Sequence, residues 1–206
     1  AEVLFTQNTA YSIDMTDHGS AAASSLMNAL RATYDASIAV GYSPLVSTSI
    51  YCGEYSKQQI LWVMAGNYAV SQGEYTGAEL RQMMEWLVNV KDNGANPIRH
   101  RNYMPVTSGM EYKVTEYEQG KFRLEELTIN GAPLDDTATY PVFVAGTDVW
   151  IENEAYCNCP MPENLKAKRT EYAIEGAESR SCLKDSLAVS KQFPAPSEYL
   201  TIVQGE

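Results

Sequence analysis

Histidine is scarce in this chain, and its scarcity argues against several kinds of chemistry. Only His18 and His100 occur, and neither lies near a cysteine. A zinc site would need Cys-x-x-Cys pairs or regularly spaced histidines, so the sequence gives no basis for one. The sequence also lacks the Gly-x-Ser-x-Gly elbow of serine hydrolases, and two histidines offer no convincing Ser-His-Asp triad. The sequence therefore does not indicate an independent enzyme with a nucleophile of its own.

Positive charge and long apolar runs are also in short supply. The chain has 15 lysines and arginines against 26 aspartates and glutamates, a formal net charge of −11. Such a surface repels a phosphate backbone, so we expect no nucleic-acid partner. No apolar run approaches the ~18 residues of a membrane helix, and no basic segment followed by an apolar one opens the chain. We expect no membrane span, and we interpret the chain as a processed protein or a piece of a longer one.

The four cysteines leave two interpretations open. They are Cys52, Cys157, Cys159 and Cys182. An even count is compatible with two disulfides in an oxidising compartment. Cys157 and Cys159 are too close in sequence to bridge one another easily, so each would need another partner. The alternative is four unpaired thiols.

The chain does contain enough apolar residues for one sizeable core. It has 206 residues, of which 45% are hydrophobic, and that suits one domain. Apolar residues recur at helical spacing in four segments, which are residues 20–34, 56–64, 76–91 and 181–193. Two of these helices begin with a capping box, Ser56 with Gln59 and Thr76 with Glu79, in which each side chain bonds the backbone N–H of the other residue.

Strand-like segments mix with these helices without a strict β-α-β rhythm. They are residues 2–6, 36–40, 68–70, 103–107, 110–117, 122–129, 140–145 and 199–203. Asn130-Gly131 predicts a tight turn, and Pro141 predicts that the start of its dense, central strand lies at an edge. Residues 152–180 are polar and broken by proline and glycine, which predicts a long irregular loop. We therefore expect an α+β fold over residues 1–206, a single domain with a mixed sheet packed with three to four helices.

Short motifs along the chain occur in an order that resembles one enzyme family. They are Ser24-Ser-Leu-Met-Asn-Ala-Leu30, Ala36-Ser-Ile-Ala-Val40, Gly53-Glu-Tyr-Ser56, Met64-Ala-Gly-Asn67, Thr76-Gly-Ala-Glu-Leu80, Val106-Thr-Ser-Gly-Met110, Leu127-Thr-Ile-Asn-Gly-Ala-Pro-Leu-Asp135 and Tyr199-Leu-Thr-Ile202. This order is similar to the C-terminal domain of 5′-nucleotidases over nearly the whole chain. The piece that begins at Thr76 is a close match, since the family opens a helix with Thr-Gly-x-x-Leu.

The resemblance implies a two-domain hydrolase. In that family an N-terminal metallophosphoesterase domain holds two metal ions with Asp, His and Asn ligands, and it hydrolyses nucleotides through a metal-activated water. This chain has no Asp-x-His opening and no second cluster of His and Asn. We therefore expect no cofactor in this chain, divalent metal ions in a separate N-terminal domain in cis, and a chain that is catalytically incomplete alone. The resemblance also implies an extracellular, periplasmic or cell-surface protein.

The resemblance further indicates where a small-molecule nucleotide or nucleoside would bind. The family's asparagine and arginine after the second strand fall on Tyr42 and Ser47, and its first stacking phenylalanine falls on Ala65. Its second stacking ring has no clean counterpart, and Gly146–Trp150 and Glu154–Tyr156 are the nearest segments. The candidate substrate-binding residues are Tyr42, Ser47, Asn67, Trp150 and Tyr156. No catalytic or metal-binding residue is expected.

Two hypotheses about function stay open because these positions depart from the family pattern. Ala65 removes a stacking face worth roughly 1–3 kcal/mol, and Ser47 removes a charge-assisted pair worth about 1.5–3 kcal/mol. The first hypothesis is the substrate-binding domain of a 5′-nucleotidase-like hydrolase. The second is a noncatalytic binding or structural module of a secreted or surface protein that reuses the fold. The basic residues Arg99, His100 and Arg101 form either an anion site or a solvated loop.

Overall fold

Five helices are present in the computed structural model of the protein, which describes residues 2–42, 45–89, 104–146 and 161–205. The helices are α1 (Ala21–Thr33), α2 (Lys57–Val63), α3 (Gly77–Asn89), α4 (Glu163–Glu171) and α5 (Ser179–Ser190). The side chain of Ser20 accepts a hydrogen bond from the backbone N–H of Ala23 and so caps α1. Both predicted capping boxes are confirmed, at the start of α2 and at the start of α3.

A five-stranded mixed sheet forms the centre of the fold. Its strands, in spatial order, are β10 (Ala173–Glu178), β4 (Ala69–Thr76), β9 (Thr139–Ala145), β2 (Ile38–Tyr42) and β5 (Pro105–Ser108). The pair β2 and β9 is parallel, and the other three pairs are antiparallel. Residues Val142 to Ala145 of β9 are buried, as expected of an interior strand. The predicted α+β class is confirmed.

Two smaller sheets complete the described part of the chain. One contains, in spatial order, β11 (Leu200–Gln204), β6 (Glu111–Glu118), β7 (Lys121–Ile129) and β8 (Ala132–Pro133), and the other pairs β1 (Val3–Gln7) with β3 (Gly53–Ser56). Asn130 and Gly131 join β7 to β8 with φ angles of 52° and 76°. Positive φ at both central residues is the geometry of the tight hairpin turn that the Asn-Gly pair predicts.

One hydrophobic core runs through the domain. Helix α1 packs against β2 and β5, α5 packs against α1, and α3 packs against β7. Helix α1 buries the apolar face that the helical periodicity predicts, including Leu26, Met27 and Leu30. Phe5 stacks on Tyr55 at 5.4 Å between ring centroids, and Phe193 meets both rings edge-on. These rings fix the β1–β3 pair to the rest of the core.

A C-terminal strap, residues 193–199, crosses the face of α1. The Ser25 hydroxyl donates to the Pro194 carbonyl at 2.6 Å, and the Asn28 amide donates to the Ala195 carbonyl at 2.9 Å. The backbone N–H of Ser20 donates to the Tyr199 hydroxyl at 2.9 Å. The polar residues of α1 are therefore hydrogen-bonded to a segment from the far end of the sequence.

The prediction of a long loop at residues 152–180 is wrong for its described part. Residues 163–171 form α4, and residues 173–178 form β10 at the edge of the central sheet. Leu165 is the one buried residue of α4, so no apolar period marks this helix in the sequence. The structure accordingly has five described helices instead of three to four, and three sheets instead of one. Residues 152–160 lie outside the described part.

Two strands also differ from their predicted form. Strand β4 continues from residue 70 to Thr76 through a polar stretch, because it pairs with β9 along its whole length. Pro141 lies in β9, an interior strand, yet its carbonyl accepts a hydrogen bond from the Ser37 N–H at 3.0 Å. The N–H and C=O of one residue point to the same side of a strand. Proline has no N–H, and at Pro141 this side of β9 faces the chain just before β2 begins.

Within the described ranges, no helix combines the length and the apolar character that crossing a membrane requires.

Candidate functional site

Two segments lie side by side just beyond the end of β2. We call them the paired loops, residues 45–47 and 62–67. Val46 forms an isolated antiparallel bridge with Met64. The Ser47 N–H donates to the Val63 carbonyl at 2.9 Å, and the Ala65 N–H donates to the Leu45 carbonyl at 2.7 Å. The fold thus brings together two motif positions, Ser47 and Ala65, that lie 18 positions apart in the sequence.

Ser47 is exposed, but its hydroxyl is already engaged within the paired loops. It donates to the carbonyl of Trp62 and also lies 3.2 Å from the carbonyl of Val63. The backbone of Tyr42 ends β2 and pairs with Pro105 of β5. Ser47 therefore holds the loops together in this structure, and a binding role for Tyr42 and Ser47 stays a prediction.

Asn67 connects the paired loops to the start of α5. Its amide N–H group donates to the Glu178 carboxylate, and its carbonyl oxygen accepts from the Arg180 backbone N–H at 3.3 Å. Next to it, the Tyr68 N–H donates to the Ser179 hydroxyl at 3.0 Å, and the Ser179 N–H donates to the Tyr68 carbonyl at 2.9 Å. Both ends of the Asn67 side chain are occupied, so its present contacts are structural. A binding role for Asn67 stays a prediction.

Arg180 is a cation at this site that no sequence motif predicts. Its Nε and Nη2 atoms donate to the Met64 carbonyl at 3.2 and 2.9 Å, beside exposed Ala65. No carboxylate of the described part forms an ion pair with its guanidinium. Arginine forks suit carboxylate and phosphate oxygens. The only sequence signal for Arg180 was its place at the start of the last helix, far from every matched motif.

Several predicted residues lie outside the described part of the chain. Trp150 and Tyr156, the candidates for a second stacking ring, belong to residues 147–160. The basic residues 99–101 belong to residues 90–103. The described residues therefore contribute Ala65, Asn67 and Arg180 to this edge of the domain, and no aromatic ring stands at the Ala65 position.

A second concave surface is also lined by Trp62. We call it the aromatic pocket. Its cavity measures about 200 Å³, and residues around it include Tyr51, Cys52, Glu54, Tyr55, Gln59 and Trp62. Tyr51 and Trp62 are 62% and 63% exposed, which is unusual for residues with rings of this size. The sequence alone does not reveal this pocket, because neither ring belongs to a motif.

Tyr55 forms the inner wall of the aromatic pocket. It is buried, and its hydroxyl accepts from the Tyr51 N–H at 3.0 Å and donates to the Tyr51 carbonyl at 3.2 Å. Burial raises the pKa of the Tyr55 hydroxyl, so this group stays neutral at physiological pH. The two hydrogen bonds fix the backbone that carries the Tyr51 ring.

A larger cleft of about 570 Å³ lies at the start of α1, where Asp14, His18 and Glu198 contribute to its walls. Across the described ranges, no group of three or more His, Cys, Asp and Glu residues could hold a metal ion. The residues present therefore do not fit the two-metal centre that the family resemblance places in another domain. No metal-dependent step is assigned to them.

The structure contradicts the interpretation that the four cysteines form two disulfides. Cys52 is an exposed free thiol and Cys182 a buried one, so a pair of disulfides that uses all four cysteines is wrong. The Tyr34 hydroxyl donates to the Cys182 sulfur at 2.8 Å, and burial is the main reason why the pKa values of both groups are raised. Cys157 and Cys159 lie outside the described residues.

The fold defines the structural class of the protein. The chain is an α+β domain with a mixed central sheet, and it has no metal-binding cluster in the residues that the structure covers. A family model described as the C-terminal domain of 5′-nucleotidase matches residues 4–147. The chain belongs to this family. Comparison with curated proteins gives no match.

Solved structures agree with the family assignment. A 5′-nucleotidase precursor from Thermus thermophilus matches with a TM-score of 0.68 and 16% identity, and the NAD nucleotidase of Haemophilus influenzae with 0.70 and 11%. The sulfate thiohydrolase SoxB of Thermus thermophilus matches with 0.65 and 15%. These matches cover 100%, 100% and 98% of this chain, which spans only 40%, 38% and 35% of theirs. At such identities the likeness establishes the fold alone.

Proposed function

We propose that the chain is the substrate-binding domain of a 5′-nucleotidase-like phosphohydrolase and that it contacts a nucleotide at the paired loops. Phosphoester hydrolysis would take place on a metallophosphoesterase domain in cis, which would bind the divalent metal ions. The observation that carries the proposal is Arg180, which forms no ion pair with a described carboxylate and is fixed beside Ala65 by two hydrogen bonds to Met64. Such a protein would act in an extracellular, periplasmic or cell-surface location.

The residues at the paired loops suit an anionic ligand better than a stacked ring. A guanidinium held by its Nε and Nη2 atoms keeps further N–H donors for a phosphate oxygen. Ala65 offers no ring face, and this lost stacking is worth roughly 1–3 kcal/mol. Because about 1.4 kcal/mol corresponds to a factor of ten, we expect nucleotide binding about tenfold to a hundredfold weaker than with a ring present.

Calorimetric titration of the chain with AMP, adenosine and uridine monophosphate tests this proposal. We expect AMP to bind and adenosine, which lacks the phosphate, to bind more weakly. Arg180→Gln should weaken AMP binding at least tenfold and leave adenosine binding nearly unchanged. The matched control is Arg123→Gln, because Arg123 is an exposed arginine of β7 paired with Glu125. Absence of binding by all three compounds at millimolar concentration would contradict the proposal.

A noncatalytic binding or structural module is the second candidate function. Two observations favour it: the Ser47 hydroxyl is used within the paired loops, and Ala65 replaces the family's stacking ring. The same titrations separate the two candidates. Micromolar binding of any of the nucleotides would exclude a purely structural role, and a folded chain that binds none of them would support it.

A further inference from the structure

The aromatic pocket combines three rings with a single charged group. Tyr51, Tyr55 and Trp62 contribute aromatic surface, and Glu54 is the one ionisable carboxylate among the described residues around it. No lysine, arginine or histidine is found among these described lining residues. Glu54 is exposed and lies next to Tyr55 in β3. The pocket is therefore apolar, aromatic and negative.

The net charge of the whole chain is negative too. Its formal net charge is −11, and Lys57 is the basic residue nearest to Glu54 and Trp62 in sequence, exposed in the first turn of α2. With Glu54 and no basic residue among the described lining residues, the potential at this pocket attracts cations and disfavours anions. The occupant of this pocket should therefore carry positive charge.

We propose that the aromatic pocket binds the head group of an organic cation, a quaternary or methylated ammonium. Aromatic faces attract such groups when the cation lies within about 6 Å of a ring centroid, and tryptophan is the most favourable ring. A methylated ammonium is also weakly hydrated, so it gains from leaving water for an apolar wall. Glu54 supplies the neutralising charge.

The size of the pocket supports a small head group over a larger ligand. Its volume of about 200 Å³ is smaller than the roughly 300–1,000 Å³ typical of sites for whole drug-sized molecules. One face of the Tyr55 ring is already covered by Phe5, at 5.4 Å between centroids. That face of Tyr55 is closed to a ligand, so a small head group suits the remaining space better than a large molecule.

Titration with choline, tetramethylammonium and a neutral isostere of choline tests the proposal. In the isostere a tert-butyl group replaces the trimethylammonium, so shape is kept and charge is removed. We expect both cations to bind and the isostere to bind at least tenfold more weakly. Equal binding of cation and isostere would show a merely apolar pocket. No binding by any of the three would indicate that the exposed rings serve contact with another domain or chain. Either result overturns the proposal.

Variants of the pocket locate the binding. Trp62→Ala should abolish cation binding, and Trp62→Phe should retain part of it because a smaller ring remains. Glu54→Gln should lower the affinity severalfold and reduce its dependence on salt, since the screened charge pair is gone. Tyr117→Ala removes a similarly exposed ring from β6 and should change nothing. Circular dichroism of each variant confirms that it is folded.

Cys52 provides an independent readout, because its exposed thiol lies at the aromatic pocket. Bound choline should slow alkylation of Cys52 by iodoacetamide, measured on the Cys52 peptide by mass spectrometry. The isostere at equal concentration should not slow it. Protection that persists in Trp62→Ala would place the cation elsewhere on the chain and would contradict the proposal.

Discussion

Glu79 belongs to a local and a distant interaction at once. Its carboxylate accepts the Thr76 N–H at 2.9 Å in the capping box, and it also pairs with the Lys168 ammonium from α4. Lys168 lies 5.2 Å from the centroid of the Tyr75 ring as well. Burial alone would raise the pKa of Glu79, but Lys168 and the Thr76 donors outweigh it and hold this pKa below the ordinary value of 4.5.

Glu79→Gln separates the two interactions. Glutamine keeps the capping box, as Gln59 does at the start of α2, but it cannot pair with Lys168. A carboxyl whose pKa is depressed by folding stabilises the native state above its unfolded pKa, and this contribution is lost as the pH falls through the lower native value. We expect the variant to lose about 1 kcal/mol at neutral pH and to show a smaller decline in stability below pH 4.5.

Urea denaturation between neutral and acidic pH measures this effect. Glu85→Gln, on the exposed side of the same helix, is the control for removing one carboxylate. An equal loss of stability in both variants, or an unchanged pH profile in Glu79→Gln, would show that the ion pair with Lys168 contributes nothing.

Gly77 shows why two distant family motifs occur together. A Cβ atom on this residue would lie 2.1 Å from the Asp135 carbonyl oxygen. The backbone N–H groups of Gly77 and Ala78 donate to the carbonyls of Ala138 and Asp136, both at 3.0 Å. The Thr-Gly motif at the start of α3 therefore packs directly against the Pro-Leu-Asp motif at the end of β8. Motifs of this kind reflect packing, so they can persist in a chain whose binding residues differ.

Elements with their own apolar pattern could be predicted from the sequence, and those without one could not. Helix α3 buries Leu80, Met83 and Met84 at helical spacing, and its capping box marks its start. Helix α4 buries only Leu165 and depends on contacts from elsewhere, such as Lys168 with the Glu74 carbonyl at 3.0 Å. Helix α4 is stabilised by tertiary contacts, which a local sequence pattern does not show.

Leu165→Ala tests this dependence of α4 on packing. Removal of this fully buried side chain leaves a cavity and should cost about 2–5 kcal/mol. Because α4 has no other buried anchor in the structure, we expect residues 163–178 to open while α1 stays closed. Hydrogen exchange measured by mass spectrometry shows this as lost protection in that segment alone. Glu171→Ala, an exposed change in the same helix, is the control, and uniform loss of protection across the domain would contradict the idea.

The candidate sites also contain residues that sequence motifs locate and residues that only the tertiary structure locates. The paired loops follow from motif positions, because Ser47 and Ala65 were located by their neighbours in the sequence. Arg180 reaches them from α5 through a tertiary contact with Met64, and Trp62 is exposed although it lies in an apolar stretch of α2. The roles proposed for both residues rest on their position in space, and nothing in their local sequence marks them.

The C-terminal strap contributes to the stability of the whole domain through Tyr199. Its ring is buried, and its hydroxyl accepts the backbone N–H of Ser20, which is buried too. Tyr199→Phe would leave that N–H without this partner, so we expect a loss of about 1–3 kcal/mol. Thermal unfolding measures it. Tyr117→Phe, at an exposed ring, should have no effect, and an unchanged melting temperature in Tyr199→Phe would show that another acceptor replaces the hydroxyl.

The same strap has a consequence for folding, because its contacts with α1 join the two ends of the described chain. The contacts of Ser20 with Tyr199 and of Ser25 with Pro194 join residues 179 and 169 positions apart. Closing so long a loop carries an entropic cost that local helix formation does not repay, and contacts of this separation slow folding. During synthesis, α1 therefore leaves the ribosome long before its covering segment exists. We therefore expect the polar face of α1 to stay exposed to solvent until residues 193–199 have been synthesised and can cover it.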